Sequence, residues 1–231
     1  MHIKKTYSIK EMVWWTRFET LFFILLITVL VSAFYFFELY WIKVPWTPLA
    51  LIGTAVAFVI GFQNNAAYGR IWEARKIWGG IVNASRTLGT YVQDMVSNEH
   101  TKTPLSEEQL QQEIKTITYR HIAWMNALRH SMRTSTPWET TVNHRTNQEW
   151  NIRPPELDSS LEEDLKPYIS ESDFEYTISK NNKQTALLYL QSHHIRKLKD
   201  QGIIWEFSFL EIEAIIKELY SHQGKSERIK N

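Results

Sequence analysis

Two long runs without a charged side chain occupy the opening part of this chain, and no other feature restricts its folding so sharply. The first extends from Leu21 to Phe37; the second extends from Val44 to Gly69, with Leu49 to Phe62 its most apolar part. At about 1.5 Å of rise per residue the first run makes a helix of roughly 26 Å, which Phe18 and Leu39 to Ile42 lengthen toward a bilayer's hydrocarbon thickness. The reading is an integral membrane protein with two crossings, at roughly residues 20 to 40 and 44 to 64. Pro45 and Pro48 fall where the first turn of the second helix tolerates proline. Trp14 and Trp15 precede the first run, and Tyr40, Trp41 and Trp46 lie in the connection, as amphipathic rings do at headgroup level.

Orientation follows from the basic residues that flank the runs. Lys4, Lys5, Lys10 and Arg17 stand before the first and Arg70, Arg75, Lys76 and Arg86 after the second, whereas the connection holds only Lys43. Both ends are therefore expected on the cytoplasmic side. A secretory signal peptide is the competing reading, since Val31-Ser32-Ala33 resembles a small-x-small cleavage site. Against it, the apolar run continues through Phe34 to Phe37.

The second run carries two neighbouring stripes. Gly53, Ala57 and Gly61 recur every four residues, a spacing that lets helix backbones approach closely in lipid. One position further round, Thr54, Phe58 and Phe62 form a parallel stripe about 100° away. Several copies of that stripe around an axis would make a narrow, dewettable constriction. The ordinary alternative is that the two phenylalanines face lipid or another helix. Beyond Phe62, Tyr68, Ile71, Trp72, Arg75, Trp78 and Val82 keep a helical spacing, which predicts that the helix runs on past Asn64 and Asn65, where it leaves the bilayer. Glu73 is placed to pair with Arg70 or Lys76, three positions away, for about 0.2 to 0.5 kcal/mol.

From Thr87 onward the pattern is helices joined by polar loops, so the fold class is all-α. Ser106-x-x-Gln109 and Ser160-x-x-Glu163 are capping-box signatures, and Ile114, Ile117, Ile122, Met125, Leu128 and Met132 fit one broad helical face. Thr134 to Ser159, with Pro137 and Pro154-Pro155, reads as a loop or excursion. Further helices are predicted from Gln184 to Lys199, closed near Gly202, and from Ile203 to His222, ending before Gly224. The resulting organisation is an N-terminal cytoplasmic segment over 1–17, a transmembrane pair over 18–64 and a helical cytoplasmic domain over 65–231. No uncharged run of about 18 residues follows Phe62, so no further crossing is predicted in this sequence.

Chemistry of other kinds finds little support. The formal charge of +1 gives no basic excess for nucleic acid, and the absence of cysteine removes disulfides and thiolate metal sites. His121, His130, His144, His193, His194 and His222 stand in no metal-ligand motif; His193 and His194, being adjacent, point to different helix faces. There is no phosphate loop, dinucleotide fingerprint or nucleophile elbow among the eight glycines. No enzyme activity and no cofactor are expected. Glu211, Glu213 and Glu218 read as a solvated face, or as a cation-attracting ring if several subunits bring them together.

The stretch from Gly61 through Gln63, Asn64, Asn65, Tyr68, Arg70, Ile71, Trp72, Glu73, Arg75 and Trp78 to Gly79 resembles the signature of bacterial bestrophin-like membrane proteins. The likeness continues in Asn83-Ala84-Ser85-Arg86, in Tyr119-Arg120-His121-Ile122-Ala123-Trp124 with Leu128-Arg129, and in Glu227-Arg228-Ile229-Lys230-Asn231. Gly69 and Ser226 depart from the residues that members often carry, an acidic residue and a cysteine. The resemblance implies a homo-oligomeric, pentameric ion channel in a bacterial inner membrane, with the second membrane helix lining a hydrophobic neck. Carried over residue by residue, Phe58 and Phe62 become neck residues with Thr54 a third, its hydroxyl wetting that level. Counting back from Ser226 puts a second, cytosolic constriction at Leu210. Animal members resemble calcium-gated chloride channels, whereas bacterial members tend to conduct cations and lack the calcium clasp, so the resemblance implies cation conduction, with chloride the other small ion to consider. Full-length relatives have four membrane helices, which makes this chain a fragment of a longer protein or a truncated form. A reading from another class also stands: a non-conducting two-span protein whose cytoplasmic helices bind a partner.

Overall fold

The computed structural model describes residues 8–39, 41, 45–134, 149 and 159–230. Lys4, Lys5, Tyr40, Lys43, His144 and Asn231, together with positions 135–148 and 150–158 of the expected excursion, lie outside the described residues. All the described elements are α-helices: α1 Ile9–Trp15, α2 Arg17–Phe36, α3 Trp46–Met95, α4 Glu107–Arg133, α5 Leu161–Leu165, α6 Glu171–Ile178, α7 Lys183–Asp200 and α8 Glu206–Lys230. They divide into two compact units, one of Met1–Ala67 with Glu139–Arg153 and one of Tyr68–Trp138 with Pro154–Asn231, with α3 running from the first into the second.

In the first unit, α1 opens on a capping box that the sequence reading did not include. Ser8 Oγ accepts from the Glu11 amide at 3.2 Å, and the Glu11 carboxylate accepts from the Ser8 amide at 2.9 Å. Arg17 then lies over the rings of Trp14, at 4.1 Å, and Phe18, at 4.4 Å. A cation held on aromatic faces suits the start of a span, where a charged head must stay near water. The helix α2 buries none of its residues, and every side chain from Leu21 to Leu30 is exposed. Such a surface is stable only in a solvent as apolar as itself, and α2 and α3 are both long and apolar enough to cross a membrane. The first apolar helix matches the expected crossing in length but lies a few residues nearer the N-terminus, starting at Arg17. The helix ends at Phe36, and Glu38 turns the chain with a φ of 49°.

In the second unit α3 changes character. Its buried positions are Ile77, Ile81, Ala84, Leu88 and Val92, a spacing of four and three that presents one stripe to a core. Ile114, Ile117, Trp124 and Leu128 of α4 join that core with Leu187, Leu188, Ile195 and Leu198 of α7 and Ile212, Ile216 and Leu219 of α8. Each fully buried aliphatic side chain contributes about 1.5 to 3 kcal/mol. Ile122 is only half buried, because the stripe of α4 passes through Trp124 instead.

Local signals set most helix starts. Both expected capping boxes form, Ser106 with Gln109 and Ser160 with Glu163, while Ser170 and Asn182 cap α6 and α7. Gly202 closes α7 at a φ of 76°, and a Cβ there would lie 2.8 Å from the His100 carbonyl oxygen. Gly224 does not end the last helix, which continues to Lys230. Glycine inside a helix costs about 1 kcal/mol; contacts on both sides of it offset that. Gln223 Oε1 accepts from Trp124 Nε1 at 3.1 Å, and its amide nitrogen donates to Thr185 Oγ1 and Glu227 Oε1, both at 3.0 Å. Further on, the Lys230 ammonium donates to the carbonyls of Ser131, at 2.9 Å, Met132, at 3.1 Å, and Thr134, closing the C-terminal end of α4.

Candidate functional site

Along the first part of α3, Phe58 and Phe62 lie one turn apart with ring centroids 6.4 Å apart and planes inclined by 24°. They are 64% and 71% exposed. Thr54 continues the stripe, and its hydroxyl donates to the Ala50 carbonyl at 2.9 Å. Its one hydroxyl hydrogen is therefore spent within the helix, which leaves an acceptor oxygen and a methyl group on the surface. Beside this stripe, a Cβ built at Gly53 or Gly61 would meet no atom of the chain within 4 Å. The small-residue face is open to another helix.

The signature residues of α3 are mostly on the surface. Asn64, Asn65, Tyr68, Arg70, Trp72, Arg75 and Trp78 are exposed, with Tyr68 and Trp72 stacked at 6.4 Å and 11°. Glu73 pairs with Arg228 of α8, not with Arg70 or Lys76. At Gly80, the ring of His222 from α8 comes so near that a Cβ would lie 2.2 Å from Cε1. Leu210, in the second unit, is 57% exposed, with Glu206 and Glu213 one turn to either side on α8. The structure thus stacks Phe58 on Phe62, while Leu210 belongs to the other compact unit. Large apolar side chains are exposed on α3 at Phe58 and Phe62 and again at Trp72 and Trp78.

A buried polar cluster was not read from the sequence. Arg120, only 7% exposed, donates through Nε and Nη2 to Asp173 Oδ2 at 3.2 and 2.7 Å, and through Nη1 to Gln191 Oε1 at 3.3 Å and His194 Nδ1 at 3.0 Å. His194 Nε2 in turn bonds Glu113 Oε2 at 2.7 Å. The signal was available: Arg120 falls on the α4 stripe between Ile117 and Trp124, where a charge must find partners. Arg120 and Asp173 also line a groove of about 340 Å³ with Lys115, Tyr119, Tyr168 and Ser170.

Next to Arg120, His121 is buried against Trp124, ring centroids 5.4 Å apart, and its Nε2 lies 2.9 Å from Ser85 Oγ. The Ser85 hydroxyl donates to the Ile81 carbonyl at 2.7 Å, so His121 Nε2 carries a hydrogen and donates it to Ser85 Oγ. Burial lowers its pKa to about 4 from 6.5. An unfolded chain protonates this histidine first, so the stabilisation is complete above pH 6.5 and is lost as the pH falls toward 4. The loss is expected to reach about 2 kcal/mol by pH 5. Urea unfolding of the detergent-solubilised chain between pH 7 and 4 measures it; a His121→Gln variant with an equally steep acid response would contradict it.

The other described histidines also have neighbours. His130 Nε2 meets Asp164 Oδ2 at 2.7 Å, and that bond, with the charges of His130 and Arg129, holds the Asp164 carboxyl below its ordinary range. His193 stacks on Tyr189 at 6.1 Å. Among the described residues no group of three or more histidine, aspartate or glutamate side chains is placed to hold a metal ion.

An all-helical membrane protein, with two uncovered apolar helices and a second helical unit carrying its own core, is the class that the fold defines. Comparison with known proteins narrows it. The family described as Bacterial/Fungal Bestrophin protein matches residues 2–231, and the chain belongs to that family. It is 25% identical over 210 residues to the voltage-dependent anion channel-forming protein YneE of Escherichia coli O157:H7, covering 89% of this chain and 57% of that protein. Over 42 residues, 18% of this chain and 14% of the relative, it is 55% identical to a voltage-dependent anion channel-forming protein of Ralstonia nicotianae. Its fold matches the crystal structure of a bacterial bestrophin homolog from Klebsiella pneumoniae with a TM-score of 0.72 at 21% identity, over 93% of this chain and 66% of that one. The chain thus spans little more than half the length of the E. coli relative.

Proposed function

We propose that this chain supplies the pore-lining helix and the cytoplasmic helical domain of a homo-oligomeric, pentameric ion channel in a bacterial inner membrane. The observation that carries the proposal is the stacked, exposed pair Phe58 and Phe62 beside the open small-residue face of the same helix. Gly53, Ala57 and Gly61 would seat a neighbouring helix, which turns the adjacent Thr54, Phe58 and Phe62 stripe toward a shared axis. Rings of phenylalanine there form a dewettable neck that passes ions only when it is hydrated. Membership of the bestrophin family and the names of the E. coli and Ralstonia relatives support conduction. Basic residues around both crossings support a cytoplasmic N-terminus and a cytoplasmic domain.

Phenylalanine rings do not choose the sign of the ion. Glu206 and Glu213, flanking Leu210 on α8, favour cations at a cytosolic constriction, whereas the relatives carry anion-channel names. Planar-bilayer recording of the purified protein in asymmetric potassium chloride tests both levels. Single-channel currents with a reversal potential near that of potassium are expected. A reversal potential near that of chloride would overturn cation conduction and keep the channel. A monomeric, electrically silent protein would instead favour the two-span partner-binding reading.

A further inference from the structure

His194 sits on α7 between two groups of opposite charge that both belong to α4. Its Nδ1 lies 3.0 Å from Arg120 Nη1 and its Nε2 lies 2.7 Å from Glu113 Oε2. A guanidinium can only donate, so Nδ1 accepts and carries no hydrogen; Nε2 carries the hydrogen and donates to the carboxylate. The geometry therefore specifies one tautomer of the neutral ring. We propose that His194 is an acid-released tie between α7 and α4: the neutral ring joins Arg120 to Glu113, and protonation removes the bond to Arg120 and sets two cations against each other.

The groups facing the ring are Arg120 and Glu113 on α4 and Asp173 on α6, with Gln191 sharing Arg120 from α7 itself. Burial and the Arg120 cation depress the His194 pKa below 6.5, and the two carboxylates only partly oppose that. The tie is thus intact above pH 6.5 and is lost progressively below it. Its release is local. Gln191 Nε2 still donates to the Ile117 carbonyl at 2.9 Å, and Leu187, Leu188, Ile195 and Leu198 stay in the core. What changes is the groove beside the cluster: Arg120, which lines it, loses its His194 partner and faces a second cation, while the charged ring keeps its Nε2–H bond to Glu113 as an ion pair. Acid would in this way raise the positive charge available at the groove floor without unfolding the unit.

The test uses the full chain in detergent micelles. Nitrogen-detected NMR of labelled histidines, with His194 assigned by its loss in His194→Gln, should show an Nε2–H tautomer at pH 7.5 and a midpoint below 6.5. Hydrogen exchange over residues 190–200, corrected for the intrinsic pH dependence, should rise about tenfold from pH 7 to pH 5 in the parent chain and about twofold or less in His194→Gln. An Nδ1–H tautomer, a midpoint at or above 6.5, or an equal acid response in both proteins would overturn the proposal. If His194→Gln does not fold, His194→Asn serves for the comparison, and the parent's tautomer and midpoint still decide.

Discussion

Replacing Arg120 with alanine is expected to destabilise the second unit by about 3 kcal/mol, the lower end of what removing one partner of a buried ion pair costs. The loss comes less from the missing bonds than from what stays behind. Asp173 keeps a largely buried carboxylate with no counter-charge at 2.7 Å, and Gln191 Oε1 and His194 Nδ1 lose the donor they share. A lysine at this position should recover only a small part. Its compact ammonium can meet Asp173, but it cannot reach three acceptors on two helices as the planar guanidinium does. Equilibrium unfolding followed by far-ultraviolet circular dichroism measures the difference, and a loss below about 1 kcal/mol would mean that the cluster is solvated and replaceable.

Exchanging Phe58 and Phe62 together for alanine is expected to raise single-channel conductance severalfold and to prevent full closure. Both rings are exposed along one stripe of α3, with centroids 6.4 Å apart, and neither belongs to the core of the second unit, so their removal leaves that core intact. A wider, less apolar ring of side chains around the axis would stay hydrated, and the dewetting barrier would fall. Single substitutions should give smaller increases, since either ring alone still narrows the path. Unchanged conductance and gating in the double variant would show that the stripe faces lipid or a neighbouring helix.

Sequence legibility followed the range over which each feature is determined. Lipid requires an unbroken uncharged run, so both crossings were readable, and a capping box needs only residues three apart, so Ser106 and Ser160 announced their helices. The end of α8 was misread because Gly224 is a local stop signal, whereas Gln223 and Lys230 hold the helix through Trp124 and the end of α4, about a hundred positions earlier. The Arg120 cluster was missed for the same reason: its partners Asp173, Gln191 and His194 stand 53, 71 and 74 positions away. Glu73 likewise chose Arg228 over its helical neighbours. At the proposed pore, the spacing of Phe58 and Phe62 gave the stripe, but what surrounds that stripe depends on other helices.

The ring of His222 set against Gly80 ties the history of two distant positions together. A methyl group at position 80 needs the space that the far end of the imidazole fills, so a residue larger than glycine there requires the His222 ring to swing aside or residue 222 to be smaller. In bestrophins of this type a side chain at the first position should accordingly go with a smaller or a turned residue at the second.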